Sequence, residues 1–140
     1  MKMRLAVVVI ATAMLAAGCR SNSMDEVLAT DATQVQLRAM QSRSFETADQ
    51  GLTVRNVIST MQDLGFVVDK VDDALGTVSG TKMQDYVMRM TVTIRPTGKK
   101  LMQVRASAQY NLTAVSDPQP YQQFFSALEK AMFLRANQVD

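Results

Sequence analysis

The sequence predicts an α+β domain: one antiparallel sheet packed against two helices, in the order β-α-β-β-β-β-α. Three observations predict it. Two consecutive runs, beginning at Met88 and Met102, alternate apolar and polar side chains with a period of two. Between them Pro96-Thr-Gly-Lys-Lys100 has the composition of a hairpin turn. Two other segments, Val54–Leu64 and Tyr121–Met132, repeat apolar residues at helical spacing. Strands with one apolar and one polar face call for a sheet that is covered on one side and wet on the other.

The chain opens with a basic Met1-Lys-Met-Arg4, an apolar Leu5–Ala17 and the small residues Ala16, Ala17 and Gly18 before Cys19. That is the composition of a cleavable export signal, and its apolar run is shorter than the roughly 20 residues of a permanent membrane helix. Ala17-Gly18-Cys19 resembles the lipobox of bacterial lipoproteins, with Ala16 where Leu is commonest. The resemblance implies cleavage after Gly18, palmitate-type acylation of Cys19, and attachment to a membrane that the chain does not cross. Two or more acyl chains hold a protein stably on a bilayer, at roughly 0.8 kcal/mol per buried methylene. By analogy with lipoprotein sorting, Arg20 in place of Asp points to the periplasmic face of the outer membrane. The expected organisation is a signal at 1–18, an acylated Cys and polar tether at 19–33, and a periplasmic domain at 34–140.

In that domain, Val35, Leu37 and Ala39 alternate with Gln34, Gln36 and Arg38, which predicts a half-buried first strand within 34–47, with Phe45 re-entering the core. After Ala48-Asp-Gln-Gly51, a helix follows with Val54, Val57, Ile58, Met61 and Leu64 on one stripe and Gly65 as its stop. Phe66-Val-Val68 starts a strand, Asp72-Asp-Ala-Leu-Gly76 turns it, and Thr77–Thr81 returns, weakened by Gly80. In the next pair, Met88, Met90, Val92 and Ile94 face inward with Met102, Val104, Ala106, Ala108, Tyr110 and Leu112. Arg89, Arg95 and Arg105 share the outer face with Thr and Gln side chains. Asp117-Pro118 caps the last helix, whose stripe is Tyr121, Phe124 or Phe125, Leu128 and Met132, widened by Phe133 and Leu134.

The run Val54–Asp69, with its Leu64-Gly65-Phe66 ending, and the Asp72–Gly76 turn resemble a helix-grip domain. They are similar in particular to the repeated domain of the BamC lipoproteins of the outer-membrane β-barrel assembly machinery. The resemblance covers about residues 45–81 by pattern and the rest by element order. It implies an envelope accessory role and carries no catalytic residue.

Composition narrows the chemistry further. The chain has no His and one Cys, which removes His-based triads and general bases, intramolecular disulfides and most zinc or copper sites. Its 15 basic and 13 acidic residues give +2, but Lys2 and Arg4 belong to the signal, so the mature chain is balanced and offers nucleic acid no overall surplus of charge. Met83, Met88, Met90 and Met102 raise a thioether copper site, against which stands ordinary core filling. Asp69, Asp72 and Asp73 lack the spacing of a calcium loop and read as turn residues. Glu46 and Asp49 have nothing that places them in a pocket as an acid–base pair.

The sequence therefore predicts a non-enzymatic, lipid-anchored interaction module of an envelope assembly or transport complex. No cofactor is expected beyond the lipid on Cys19, and no metal. Arg89, Arg95 and Arg105 form its expected partner surface. The alternative is a carrier or chaperone that holds an apolar ligand between sheet and last helix, lined by Met88, Met90, Ala106, Ala108 and Phe124.

Overall fold

The structure, a computed structural model, describes residues 33–84 and 86–136. The expected signal at 1–18 with Ala16, Ala17 and Gly18, the expected acylation site Cys19 and the expected tether up to Ala32 lie outside the described residues. The compact unit runs from Val35.

The class is α+β as predicted. A helix over 33–40 (α1) leads into β1 (Ser42–Phe45), α2 (Gln50–Asp63), β2 (Val67–Asp72), β3 (Thr77–Met83), β4 (Val87–Pro96), β5 (Met102–Tyr110), the two-residue β6 (Thr113–Ala114) and α3 (Pro118–Ala136). The six strands form one antiparallel sheet in the order β1-β5-β4-β3-β2, with β6 also on β5.

The first strand is shorter than the alternation implied. Residues 33–40 are helical, Val35 is exposed, and only Leu37 of the expected inner row leans on the core. Gln, Leu, Arg, Ala and Met are good helix formers, and Gln41 N–H closes a helical turn on the Leu37 carbonyl at 3.0 Å. A longer strand would also meet an occupied edge. β1 pairs with Met102–Arg105, whereas Gln109 and Tyr110 are taken by β6. For the same reason β5 ends at Tyr110, and Leu112, expected inside, sits in the β5–β6 turn almost fully exposed.

α2 starts at Asp49, whose carboxylate accepts the Leu52 N–H at 2.8 Å. It ends in a Schellman turn: Gly65, at φ +85°, donates to the Gln62 carbonyl and Phe66 donates to that of Met61. Val54, Val57 and Met61 are buried as the stripe predicts, with Ile58 and Leu64 half-buried at its margin. Thr53, Asn56 and Thr60 are buried as well, because α2 packs on α3 in addition to β2, β3 and β4. Asn56 donates to the Met132 thioether across the two helices.

Gly80, expected to weaken β3, stands in the middle of a seven-residue strand. A Cβ there would lie 2.8 Å from the Met61 methyl and 3.0 Å from the Val67 carbonyl oxygen, so its absence lets α2 approach the sheet. β2 is an edge strand with a register shift between Val68 and Lys70 at Asp69.

α3 begins as expected, Asp117 accepting the Gln119 N–H at 2.9 Å ahead of Pro118. Tyr121, Phe124, Phe125 and Leu128 are buried; Phe133 and Leu134 are exposed. The Tyr121 hydroxyl sits where β1 and β6 leave a gap on the β5 edge. It accepts from the Ala108 N–H and the Gln41 amide, each at 3.2 Å, and donates to the Val115 carbonyl at 2.8 Å. Ala106 N–H on one side of this point bonds to Gln41, and the Ala108 carbonyl on the other accepts from Val115.

Candidate functional site

Both helices that pack on the sheet lie on one face, so the pleat of β4 and β5 sends alternate side chains into the open. Met90, Val92, Ile94, Val104, Ala106 and Ala108 are buried beneath the helices, and Arg89, Arg95 and Arg105 are exposed opposite them. This is the division that the period of two predicts.

Register brings two of the three arginines together. Thr93 pairs with Arg105 and Arg95 with Gln103, so Arg95 and Arg105 are diagonal neighbours, with Cα atoms about 7–8 Å apart by ladder geometry. Thr91, Thr93, Gln103 and Ser107 complete a shallow polar depression around them. Arg89, paired with Gln109, stands two positions from Thr91 on the same strand. None of the three guanidinium groups has a carboxylate partner among the described residues. Arg43 differs: it pairs with inward-facing Val104, reaches Glu129 of α3 at 3.7 Å and lies over the Phe125 ring at 5.6 Å.

A charge signal that chain-wide balance hides reinforces this face. From Tyr86 to Ser116 the chain contains Arg89, Arg95, Lys99, Lys100 and Arg105 but no Asp or Glu. The β4–β5 hairpin is thus a block of five cations, with both lysines exposed in its turn. Acids gather elsewhere, and several are occupied. Asp72 accepts the Leu75 N–H at 2.9 Å, Asp69 accepts the Thr81 hydroxyl at 2.6 Å, and Asp49 caps α2. Glu46 is exposed after β1.

The methionines do not converge. Met90 and Met102 are in the core at opposite ends of the sheet, since Met102 pairs with Pro96, six positions or about 20 Å along β4 from Met90. Met88 is half-buried and Met83 exposed. Among the described residues no group of three His, Cys, Asp or Glu side chains is placed to hold a metal ion.

A cavity of about 260 Å³ opens where the C-terminal end of α2 and the first turn of α3 diverge over the sheet. Met88, Met90, Phe66 and Tyr110 line its apolar side, and Lys82 and Gln123 its polar side. Ala106, Ala108 and Phe124, expected in such a lining, are instead closed in the core. Lys82 donates to the Leu64 carbonyl at 2.9 Å, with its ammonium 5.9 Å from the centre of the Phe66 ring. Tyr110 meets Tyr86 edge to face at 4.6 Å; partial burial, then the contact with Tyr86, pushes its phenol above the usual pKa of 10.0.

No helix among the described residues is long and apolar enough to cross a membrane. No family model matches the chain, and no curated protein matches it. Among solved structures, the chain is similar at a distance to a DUF4468 family protein from Bacteroides ovatus. The identity is 10% and the TM-score 0.31, over 66% of this chain and 79% of that one.

Proposed function

We propose that this protein is a non-catalytic, lipid-anchored module of the bacterial envelope that docks an acidic partner protein on the bare face of its sheet. The carrying observation is the β4–β5 surface, where Arg89, Arg95 and Arg105 stand among hydroxyl and amide side chains and make no ion pair among the described residues. Paired guanidinium forks match carboxylates in geometry as well as charge, and the interleaved Thr, Ser and Gln groups supply further hydrogen bonds. Such a face steers an acidic surface toward it and selects against a basic one. The anchor rests on Ala17-Gly18-Cys19, and the BamC-like pattern of 54–76 supports an assembly-machine setting.

The test is a photocrosslinker at Thr93 on the bare face, with one at Gln62 on the exposed side of α2 as reference, in intact envelopes. An acidic protein captured at Thr93 alone, and lost in the Arg95→Glu/Arg105→Glu variant, supports the reading. Equal capture at both positions, or capture that survives the double reversal, refutes it.

A second reading, a carrier of a small apolar ligand, is favoured by the cavity beside Met88 and Met90. Its volume falls just below the roughly 300–1,000 Å³ of ordinary ligand sites, so the ligand would be a small one. Native mass spectrometry of the protein released from membranes decides it, a bound small molecule supporting the carrier.

A further inference from the structure

Eleven large apolar side chains are exposed among the described residues, and five of them share one end of the sheet: Val67, Met83, Tyr86, Val87 and Leu112. The register brings them there. Met83 pairs with Val87 at the close of the β3–β4 hairpin, and Val67 pairs with Thr81 two positions before Met83. The Asn111 N–H donates to the Val87 carbonyl at 3.0 Å, which sets the β5–β6 turn and Leu112 beside that hairpin. Leu112 is 94% exposed and Met83 78%, far beyond what packing within the domain would leave.

We propose that this end of the sheet inserts Leu112, Met83 and Val87 into the interfacial layer of a phospholipid bilayer. Four features select lipid over a protein groove. The apolar side chains sit on two separate turns, which suits a fluid, conforming phase better than a rigid complementary surface. Behind them the Tyr86–Tyr110 pair combines apolar rings with polar hydroxyls, the composition enriched at membrane boundaries. Arg89 lies close by on the bare face to meet phosphate, while the acids at this end (Asp69 on the Thr81 hydroxyl, Asp117 on the Gln119 N–H, and Asp85, which follows Gln84 in sequence and lies outside the described residues) confine the insertion to the headgroup layer. Finally, the 13 residues between Cys19 and Thr33 can span at most about 45 Å, so an acyl chain on Cys19 keeps the domain within reach of the same bilayer. At that effective concentration a few buried side chains suffice to orient the domain. This last point rests on the lipid-anchored reading. With the turns in the interface, the strands run toward the membrane and the arginine face is presented sideways along it.

The chain has no Trp, so Leu112→Trp and Leu75→Trp each create a single reporter; Leu75 is 68% exposed in the β2–β3 turn at the opposite end. Each full-length variant is isolated from membranes and reconstituted on phosphatidylethanolamine–phosphatidylglycerol vesicles, with or without brominated acyl chains. Flotation reports attachment separately from fluorescence. A chain that does not float refutes the anchor alone, and it is then coupled through its Cys19 thiol to a maleimide-bearing lipid so that the insertion is still measured. The expected result is a blue shift of Leu112→Trp emission and quenching by brominated lipid, with neither for Leu75→Trp. Three results overturn the proposal: Leu112→Trp emission unchanged from water, a blue shift without bromolipid quenching (burial against a second copy or another protein), or equal quenching of both variants.

Discussion

Replacing Tyr121 with Phe removes a single oxygen and leaves the ring, which is fully buried, in place. No cavity forms, so the cost is the loss of hydrogen bonds. The Ala108 N–H and the Gln41 amide lose their acceptor, and the Val115 carbonyl loses a donor. An orphaned buried polar group costs about 1–3 kcal/mol. Two donors stranded on the buried side of the β5 edge therefore put the loss at about 2–4 kcal/mol, a large share of the 5–15 kcal/mol typical of a domain. For a domain of this size that lowers Tm by roughly 10–25 °C. Urea unfolding of the two proteins measures the difference directly, and hydrogen exchange locates it: the Ala108 amide loses protection before the neighbouring β4 amides do. Tyr86→Phe, which removes the hydroxyl of a side chain that is 55% exposed and meets only Tyr110, is the control and changes stability by no more than about 0.5 kcal/mol. A Tyr121→Phe loss below about 1 kcal/mol, or unchanged exchange at Ala108, refutes the claim that this hydroxyl completes the sheet edge.

Further outcomes follow from two glycines, a helix cap and a shifted phenol. Gly76→Ala drives a methyl into the Ile94 carbonyl at φ +60°, where Gly76 also accepts the Ile94 N–H at 2.7 Å, and costs more than about 3 kcal/mol in denaturant unfolding. Gly98→Ala also has a positive φ, +74°, but open space, so the same measurement gives about 1–2 kcal/mol; equal losses at the two sites would remove the collision argument. Asp49→Ala deprives the Leu52 N–H of its acceptor and costs about 1 kcal/mol, with the earliest loss of exchange protection in the first turn of α2. Because the folded pKa of Tyr110 is raised, the unfolded chain ionises first, and this contribution to stability is present below pH 10.0 and disappears as pH rises through the folded value. Tyr86→Phe moves the Tyr110 titration, followed by tyrosinate absorbance, back toward 10.0.

The parts of the fold that could be read from the sequence are those where one physical constraint acts alone. β4 and β5 are central strands with one dry and one wet face, and the parity that hides Val92 and Ala106 also exposes Arg89, Arg95 and Arg105. Asp117-Pro118 and Gly65 mark helix ends through requirements of their own backbone. Elsewhere two constraints compete. Val35, Leu37 and Ala39 alternate, but five residues of alternation are too few to outweigh helix-forming side chains once β6 has claimed the end of the β5 edge. β6 itself is two residues long and leaves no periodic trace. Thr53, Asn56 and Thr60 are polar yet buried, since a second helix covers a side that the α2 stripe alone would leave in water. The cationic block from Arg89 to Arg105 was visible in composition, but only in a local window, because acids in other segments cancel it over the whole chain.

The register shift at Asp69 bears on how the molecule behaves when many copies are crowded together. An unbroken outer strand would offer newcomers a template for adding chain after chain into fibrils. Here one margin is interrupted by a bulge beside Asp69 and Lys70, and the other is divided between a four-residue and a two-residue strand. Neither margin presents a long flat ladder. Crowded copies of this protein therefore meet at margins poorly suited to strand-by-strand addition, the route by which a flat-edged sheet polymerises.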